Sequence, residues 1–181
     1  MNGAVLHVHG NGQDGVGNTM NAGAVVIHGD AGEVLGHSMR GGKLFVRGRV
    51  GYRAGIHMKA YQDRSPVVIV GETAADYLAE YMAGGVLVVL ALGSNGASPV
   101  RNFVGTGMHG GVVYIRGTVQ PKQLGREVEA GELGEEDWQR LHPLLVEYCQ
   151  TFGLDASGFK PEDFIRLRPK SSRPYGRLYA Y

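Results

Sequence analysis

One cysteine, Cys149, is all the thiol chemistry this sequence carries. It cannot form an intrachain disulfide, and it cannot build a thiolate cage around a metal. Net charge is also scarce. Eighteen Lys and Arg against 17 Asp and Glu leave a formal +1, which gives no electrostatic reason to expect nucleic acid or a membrane surface as a partner. Long apolar runs are missing too. No segment approaches the roughly 18 apolar residues that span a bilayer, and Met1 to Gly10, with two histidines, lacks the apolar centre of a secretory signal. A reduced, cytoplasmic setting is the expectation.

What the sequence has in excess is glycine, 30 residues of 181, far above the roughly 7% usual in soluble chains. Twenty-four of them precede Val119 and six follow it, which sets an expected boundary between a glycine-rich unit, residues 1–119, and a different C-terminal unit, residues 120–181. Inside the first unit the sequence repeats. Val16-Gly17-Asn18-Thr19-Met20-Asn21-Ala22-Gly23 is echoed by Leu35-Gly36-His37-Ser38-Met39-Arg40-Gly41-Gly42. The same pattern returns in Val104-Gly105-Thr106-Gly107-Met108-His109-Gly110-Gly111. Weaker copies surround Met58 and Met82. Met20, Met39 and Met58 are nineteen residues apart, and the wider spacings to Met82 and Met108 accommodate loops at 61–66 and 92–101.

Each copy ends in a short run of β-branched residues, such as Ala24-Val25-Val26-Ile27-His28 or Val112-Val113-Tyr114-Ile115-Arg116. These runs are too short for helices and are bounded by glycine, so they read as strands. Copies in one direction at a constant pitch fit a single coil per repeat better than a series of hairpins. The expectation is an all-β fold: a right-handed, single-stranded parallel β-helix with a C-terminal helix and an extended tail. Strand alternation turns Leu44, Val46 and the equivalent Val25, Ile27, Val67, Ile69, Leu87, Val89, Val113 and Ile115 inward, with the five methionines as a second inward ladder. One outward row, His9, His28, Arg47, Val70, Leu90 and Arg116, faces solvent. The other contains His7, Val26, Phe45, Val68, Val88 and Tyr114 and is too apolar to face water. Val26, Phe45, Val68, Val88 and Tyr114 are therefore the candidate contact face, to be covered by a partner or by the chain's own C-terminal segment.

In the second unit, Glu135-Glu136-Asp137 suits a helix start. Trp138, Leu141, Leu144, Leu145, Tyr148 and Phe152 come next at helical spacing, with Pro143 expected to kink or divide the helix and Gly153 to stop it. From Phe159 the aromatic and basic sequence through Arg166, Arg168, Lys170, Arg173 and Arg177 reads as extended chain. It would be either a solvated arm strapped over the repeats or a partner-binding arm.

Motifs with chemical associations are poorly supported. Gly10-x-Gly12-x-x-Gly15 matches a dinucleotide fingerprint, but the residues after it begin another glycine-rich repeat rather than a helix. His7 and His9 share a strand face with His28 stacked beside them, and without a cysteine or a close carboxylate they read as a surface ladder rather than a metal site. Cys149 belongs to an apolar helix face and packs, while Ser38 and Ser94 lack a nucleophile's context. Asp14, Asp30, Asp63, Glu72, Asp76 and Glu80 form no pair at matched positions. No catalytic, cofactor-binding or metal-binding residue is expected in this chain.

The alternation of G-x-x-M-x-G-G with a short apolar strand and a closing glycine resembles the GXGXG domain, the C-terminal part (domain 3) of the glutamate synthase large subunit, here in a stand-alone form. The resemblance runs from about Gly3 to Val119 and is closest over Gly55 to Met58, Glu80 to Leu90 and Val104 to Tyr114. A related domain forms one of the subunits of formylmethanofuran dehydrogenase, where the nineteen-residue period is more uniform. The resemblance implies a non-catalytic structural subunit of a split glutamate synthase-type complex, bracing glutaminase and FMN-binding synthase subunits in nitrogen metabolism. FMN and an iron–sulfur cluster would then reside on those partners, since the glutaminase's N-terminal cysteine and the cluster's several cysteines are not met by Cys149 alone. Self-association is left open, and neither nucleic acid nor membrane is expected. The alternatives are a formylmethanofuran-type dehydrogenase subunit and an independent carbohydrate-active β-helix enzyme.

Overall fold

The computed structural model describes residues 1–93 and 98–173. Ser94 and the end of the basic tail, including Arg177, lie outside the described residues. Six strands succeed one another along the repeats: β1 Asn2–Val8, β2 Ala22–Ile27, β3 Lys43–Val46, β4 Val67–Val70, β5 Ala83–Val89 and β6 Gly110–Arg116. Each pairs parallel with the next. The connections stack in the same order. Gly36 N–H donates to Val16 O at 2.8 Å, Gly55 N–H to Leu35 O at 2.7 Å, and Gly105 N–H to Leu78 O at 2.8 Å. The nineteen-residue pitch is therefore a hydrogen-bonding register.

The all-β, right-handed single-stranded parallel β-helix expected from the repeats is not the architecture. The sheet has eight strands and is mixed, in the order β1-β2-β3-β4-β5-β6-β8-β7. Its last two strands, β7 Val128–Glu132 and β8 Phe164–Pro169, come from the C-terminal segment. β8 runs antiparallel to both β6 and β7. Between them, helix α1 Glu135–Phe152 spans 18 residues without dividing at Pro143 and ends at Gly153, whose φ of 65° is left-handed. The physical reason is that β6 leaves an edge with unpaired backbone groups. Phe164-Ile165-Arg166-Leu167 pairs along that edge rather than lying over the repeats as an extended arm.

One face of the sheet packs against the stacked connections. Val25, Ile27, Leu44, Val46, Leu87, Val89, Val113 and Ile115 meet Met20, Met39, Met58, Met82 and Met108 there, all buried. The methionine ladder is thus interior, as its spacing predicts. β4 departs by one residue: Val68 pairs with Leu44 and Val70 with Val46. So Val68 and Val70 point into this core, and Val67 and Ile69 point to the opposite face. Val70 accordingly leaves the solvent-facing row, where Gly71 takes its place beside Arg47. Val67–Val70 is apolar at every position, so alternation could not fix which side faced in.

Glycine supplies only part of the left-handed backbone. Gly111, with φ of 78°, has no room for a β-carbon, which would sit 2.6 Å from Met82 Cε and 2.8 Å from Gly85 O. Two further columns turn left-handed with ordinary residues. Val34, Arg53, Tyr77 and Phe103 form one, and Thr19, Ser38, His57 and Tyr81 the other, all with φ between 51° and 65°. Each such residue costs about 1–2 kcal/mol, borne because the next repeat's hydrogen bonds hold the turn.

Candidate functional site: a helix-covered face and an open edge

The opposite face of the sheet is where the candidate contact residues lie. His7, Val26, Phe45, Ile69, Val88 and Tyr114 share one register row. Ile69, not Val68, is its fourth-strand member. Phe45, Val88 and Tyr114 are buried in one cluster with Leu141, Leu145, Tyr148 and Cys149 of α1, and Val26 is buried as well. The chain's own C-terminal helix therefore covers the apolar row, one of the two occupants expected for it.

Two hydroxyls and one carboxylate pin α1 to the sheet. Tyr148 Oη donates to Val46 O at 2.9 Å. Tyr114 Oη donates to Asp137 Oδ1 at 2.8 Å. Asp137, 2% exposed, also accepts from Arg166 at 2.9 Å and Arg168 at 2.8 Å, both on β8. Its other role is local: as the third residue of α1 it accepts from Gly134 N–H at 3.3 Å, tying off the helix start. Burial alone would raise the Asp137 pKa, but the bonds from Arg166, Tyr114 and Gly134 and the charge of Arg168 outweigh it and hold the carboxyl below its ordinary value. The sequence places Asp137 only as a helix-start acid. Its partnership with Arg166 and Arg168 exists only once β8 joins the sheet.

Burial and the bond to Asp137 raise the Tyr114 pKa from 10.0 to about 12, and burial raises that of Tyr148 further. Because the folded values lie above the unfolded value of 10.0, the stability these protons contribute is full below pH 10 and is lost as pH rises through 12. Alkaline titration should show two tyrosines ionising together with the loss of tertiary circular dichroism, after the exposed tyrosines. Two buried tyrosines that ionise with the rest would contradict the clamp.

The remaining motif residues have structural positions. Gly10, Gly12 and Gly15 lie in the connection between β1 and β2, which contains no helix. His7, His9 and His28 are exposed together, with His7 Nδ1 3.4 Å from His28 Nε2 and the His9 and His28 rings stacked at 4.8 Å. Among the described residues no group of three His, Cys, Asp or Glu side chains is arranged to hold a metal ion. Burial, then the charge of Asp155, pushes the Cys149 thiol up, away from the thiolate form that reacts. The carboxylates serve the stack: Asp14, Asp30 and Asp76 accept backbone N–H groups of Glu33, Arg49 and Asn102 in the neighbouring repeat, and Glu80 pairs with Arg53 at 3.0 Å.

The two edges of the sheet differ. β7 ends one side with exposed Glu129 and Glu132, the charges that discourage another strand from adding. β1 ends the other with seven uncharged residues. Leu6 pairs with Val25 and begins the interior column that continues through Leu44, Val68, Leu87 and Val113. Those successors are at most 5% exposed, whereas Leu6 is 51% and Val5 62% exposed. The backbone is open as well. His28, Gly29 and Gly36 donate to Val8, Gly10 and Val16 of the first repeat. Among the described residues no backbone carbonyl accepts from their counterparts nineteen residues earlier, His9, Gly10 and Gly17. Among the described residues the β1 edge thus combines a partly exposed core column with amides that have no backbone acceptor, the features of an edge to which a strand can add.

A family model described as GXGXG motif matches residues 1–160. An uncharacterized protein of Methanocaldococcus jannaschii is 48% identical over 191 aligned positions, which take in 99% of this chain and 71% of that protein. No helix among the described residues is long and apolar enough to cross a membrane.

Proposed function

The chain belongs to the GXGXG motif family, and we propose that it serves as a structural subunit of a glutamate synthase-type complex in the cytoplasm. In this reading it braces the glutaminase and FMN-bearing synthase subunits, which carry the flavin and iron–sulfur chemistry. The reading is supported by the repeat's similarity to the C-terminal part of the glutamate synthase large subunit. The observation that carries it is the open β1 edge, where Leu6 begins a core column that no described residue completes.

Capture of the tagged chain from native extract should bring down an FMN-bearing polypeptide identified by mass spectrometry and flavin absorbance. Leu6→Glu places a charge at the open column and should weaken that association about tenfold or more, the equivalent of about 1.4 kcal/mol. Its side chain is half exposed, so the variant keeps its fold. A captured set without a flavoprotein, or a Leu6→Glu chain that binds as tightly as the natural one, would overturn the proposal.

A further inference from the structure

Beyond this scaffold role, we propose that the turn preceding the glycine pairs holds a binding site for a small dianionic oxyanion, a phosphate ester or a dicarboxylate. The residues after each methionine form one column. Arg40, Lys59, Ala83 and His109 each donate a backbone N–H to the methionine of the preceding repeat, at 2.8–3.0 Å. The residues before each methionine, Ser38, His57 and Tyr81, form a second column beside it. Together they line a cavity of about 290 Å³.

Three features give this cavity its chemistry. Arg40 and Lys59 sit at equivalent positions on adjacent repeats, whose backbones stack about 4.8 Å apart, so two cations share one rim of the cavity. No carboxylate lines the cavity. Glu80, next to Tyr81 in sequence, is turned away into its ion pair with Arg53, and among the described residues neither Arg40 nor Lys59 has an acidic partner within ion-pair distance.

The rings beside the cations are also held in place. The His57 ring stacks on Tyr81 at 5.3 Å and 9°, and His109 Nδ1 lies 3.0 Å from Gly107 O. That bond takes the Nδ1 proton, so in the neutral ring Nε2 is an acceptor, and His109 is a wall of the cavity rather than a donor to an anion. Ala83, the small member of the cation column, makes the space. It also lines a separate, wider cleft of about 710 Å³ that reaches Arg140 and Arg168, the latter bound to Asp137. Two full cations and the hydroxyls of Ser38 and Tyr81, without an acid, form a cradle for a doubly charged oxyanion. The chain as a whole is almost neutral, so this concentration is local.

The test tracks the ring resonances of His57 and His109 in the full chain during titrations at constant ionic strength. The probes are inorganic phosphate, succinate and, as control, chloride. Saturable shifts are expected with phosphate, succinate or both. Saturation by phosphate alone assigns a phosphate group, by succinate alone a dicarboxylate, and by both the shared oxyanion chemistry. Arg40→Gln with Lys59→Gln should weaken saturation about tenfold or more, while Lys122→Gln on the exposed turn before β7 should not change it. Far-ultraviolet circular dichroism confirms that each variant is folded. Unsaturable drift equal to that with chloride, or unchanged binding by the double variant, would overturn the site. This outcome is independent of flavoprotein capture, so the two proposals can fail separately.

Discussion

Asp137→Ala should lower the free energy of unfolding by about 3 kcal/mol, measured by urea denaturation. Removing one member of a buried ion pair commonly costs about 3–5 kcal/mol. The lower end applies here because the partner side chains of Arg166 and Arg168 are 25% and 40% exposed and can regain water. The same substitution orphans the buried Tyr114 hydroxyl and releases the Gly134 amide at the helix start. The effect also has a pH signature. A carboxylate held below its ordinary pKa contributes stability that is full above the unfolded value of about 4 and is lost as pH falls through the folded one. The natural protein should therefore lose stability across that acid range more steeply than Asp137→Ala. Parallel acid profiles for the two proteins would show that Asp137 does not link α1 to β8.

Gly71→Ala is the second large effect, and its cause is space. A β-carbon at Gly71 would run into the Arg47 carbonyl of the neighbouring repeat and into Tyr148 Oη. Neither can yield cheaply. The carbonyl belongs to the stacked backbone, and the hydroxyl is fixed by its bond to Val46 O. Overpacking of this kind costs about 1–3 kcal/mol, and a displaced buried hydroxyl adds roughly 1 kcal/mol. A loss of about 3 kcal/mol is expected, with Tyr148 ionising at lower pH than in the natural chain. Gly153→Ala, where a β-carbon meets nothing within 4 Å but φ is 65°, should cost only about 1–2 kcal/mol. A Gly71→Ala protein as stable as the natural one would mean that α1 does not press on this corner.

How much of the structure is legible in the sequence depends on whether the signal repeats. The methionine ladder and Gly17, Gly36 and Gly105 of the repeats are legible because the recurring motif places equivalent residues above one another. The apolar row through Phe45, Val88 and Tyr114 is legible as a face that needs a cover, and the amphipathic stripe of α1 supplies the cover. The side of β4 is not legible, because a four-residue run of Val and Ile after a loop has no polar position to orient it. β8 is hidden by its charges: Arg166 and Arg168 read as a solvated basic arm. Their alternation with Ile165 and Leu167 is the period-two signal that the pairing with β6 explains. Asp137 illustrates the remaining gap. An acid in a first helical turn is ordinary, and nothing local shows that two arginines 29 and 31 residues away will meet it. The mixed sheet differs from the expected architecture for the same reason. The repeats specify six strands, and the two that close the sheet carry no trace of the repeat.

The open first repeat is where the proposed assembly is most directly tested. Hydrogen–deuterium exchange, compared between the free chain and the chain bound to the proposed flavoprotein, reads the amides concerned. Protection should appear over β1 and at His9, Gly10 and Gly17, with the acidic β7 edge unchanged. Exchange over β1 that stays as fast in the complex as in the free chain, with protection arising elsewhere, would contradict the role given to this edge.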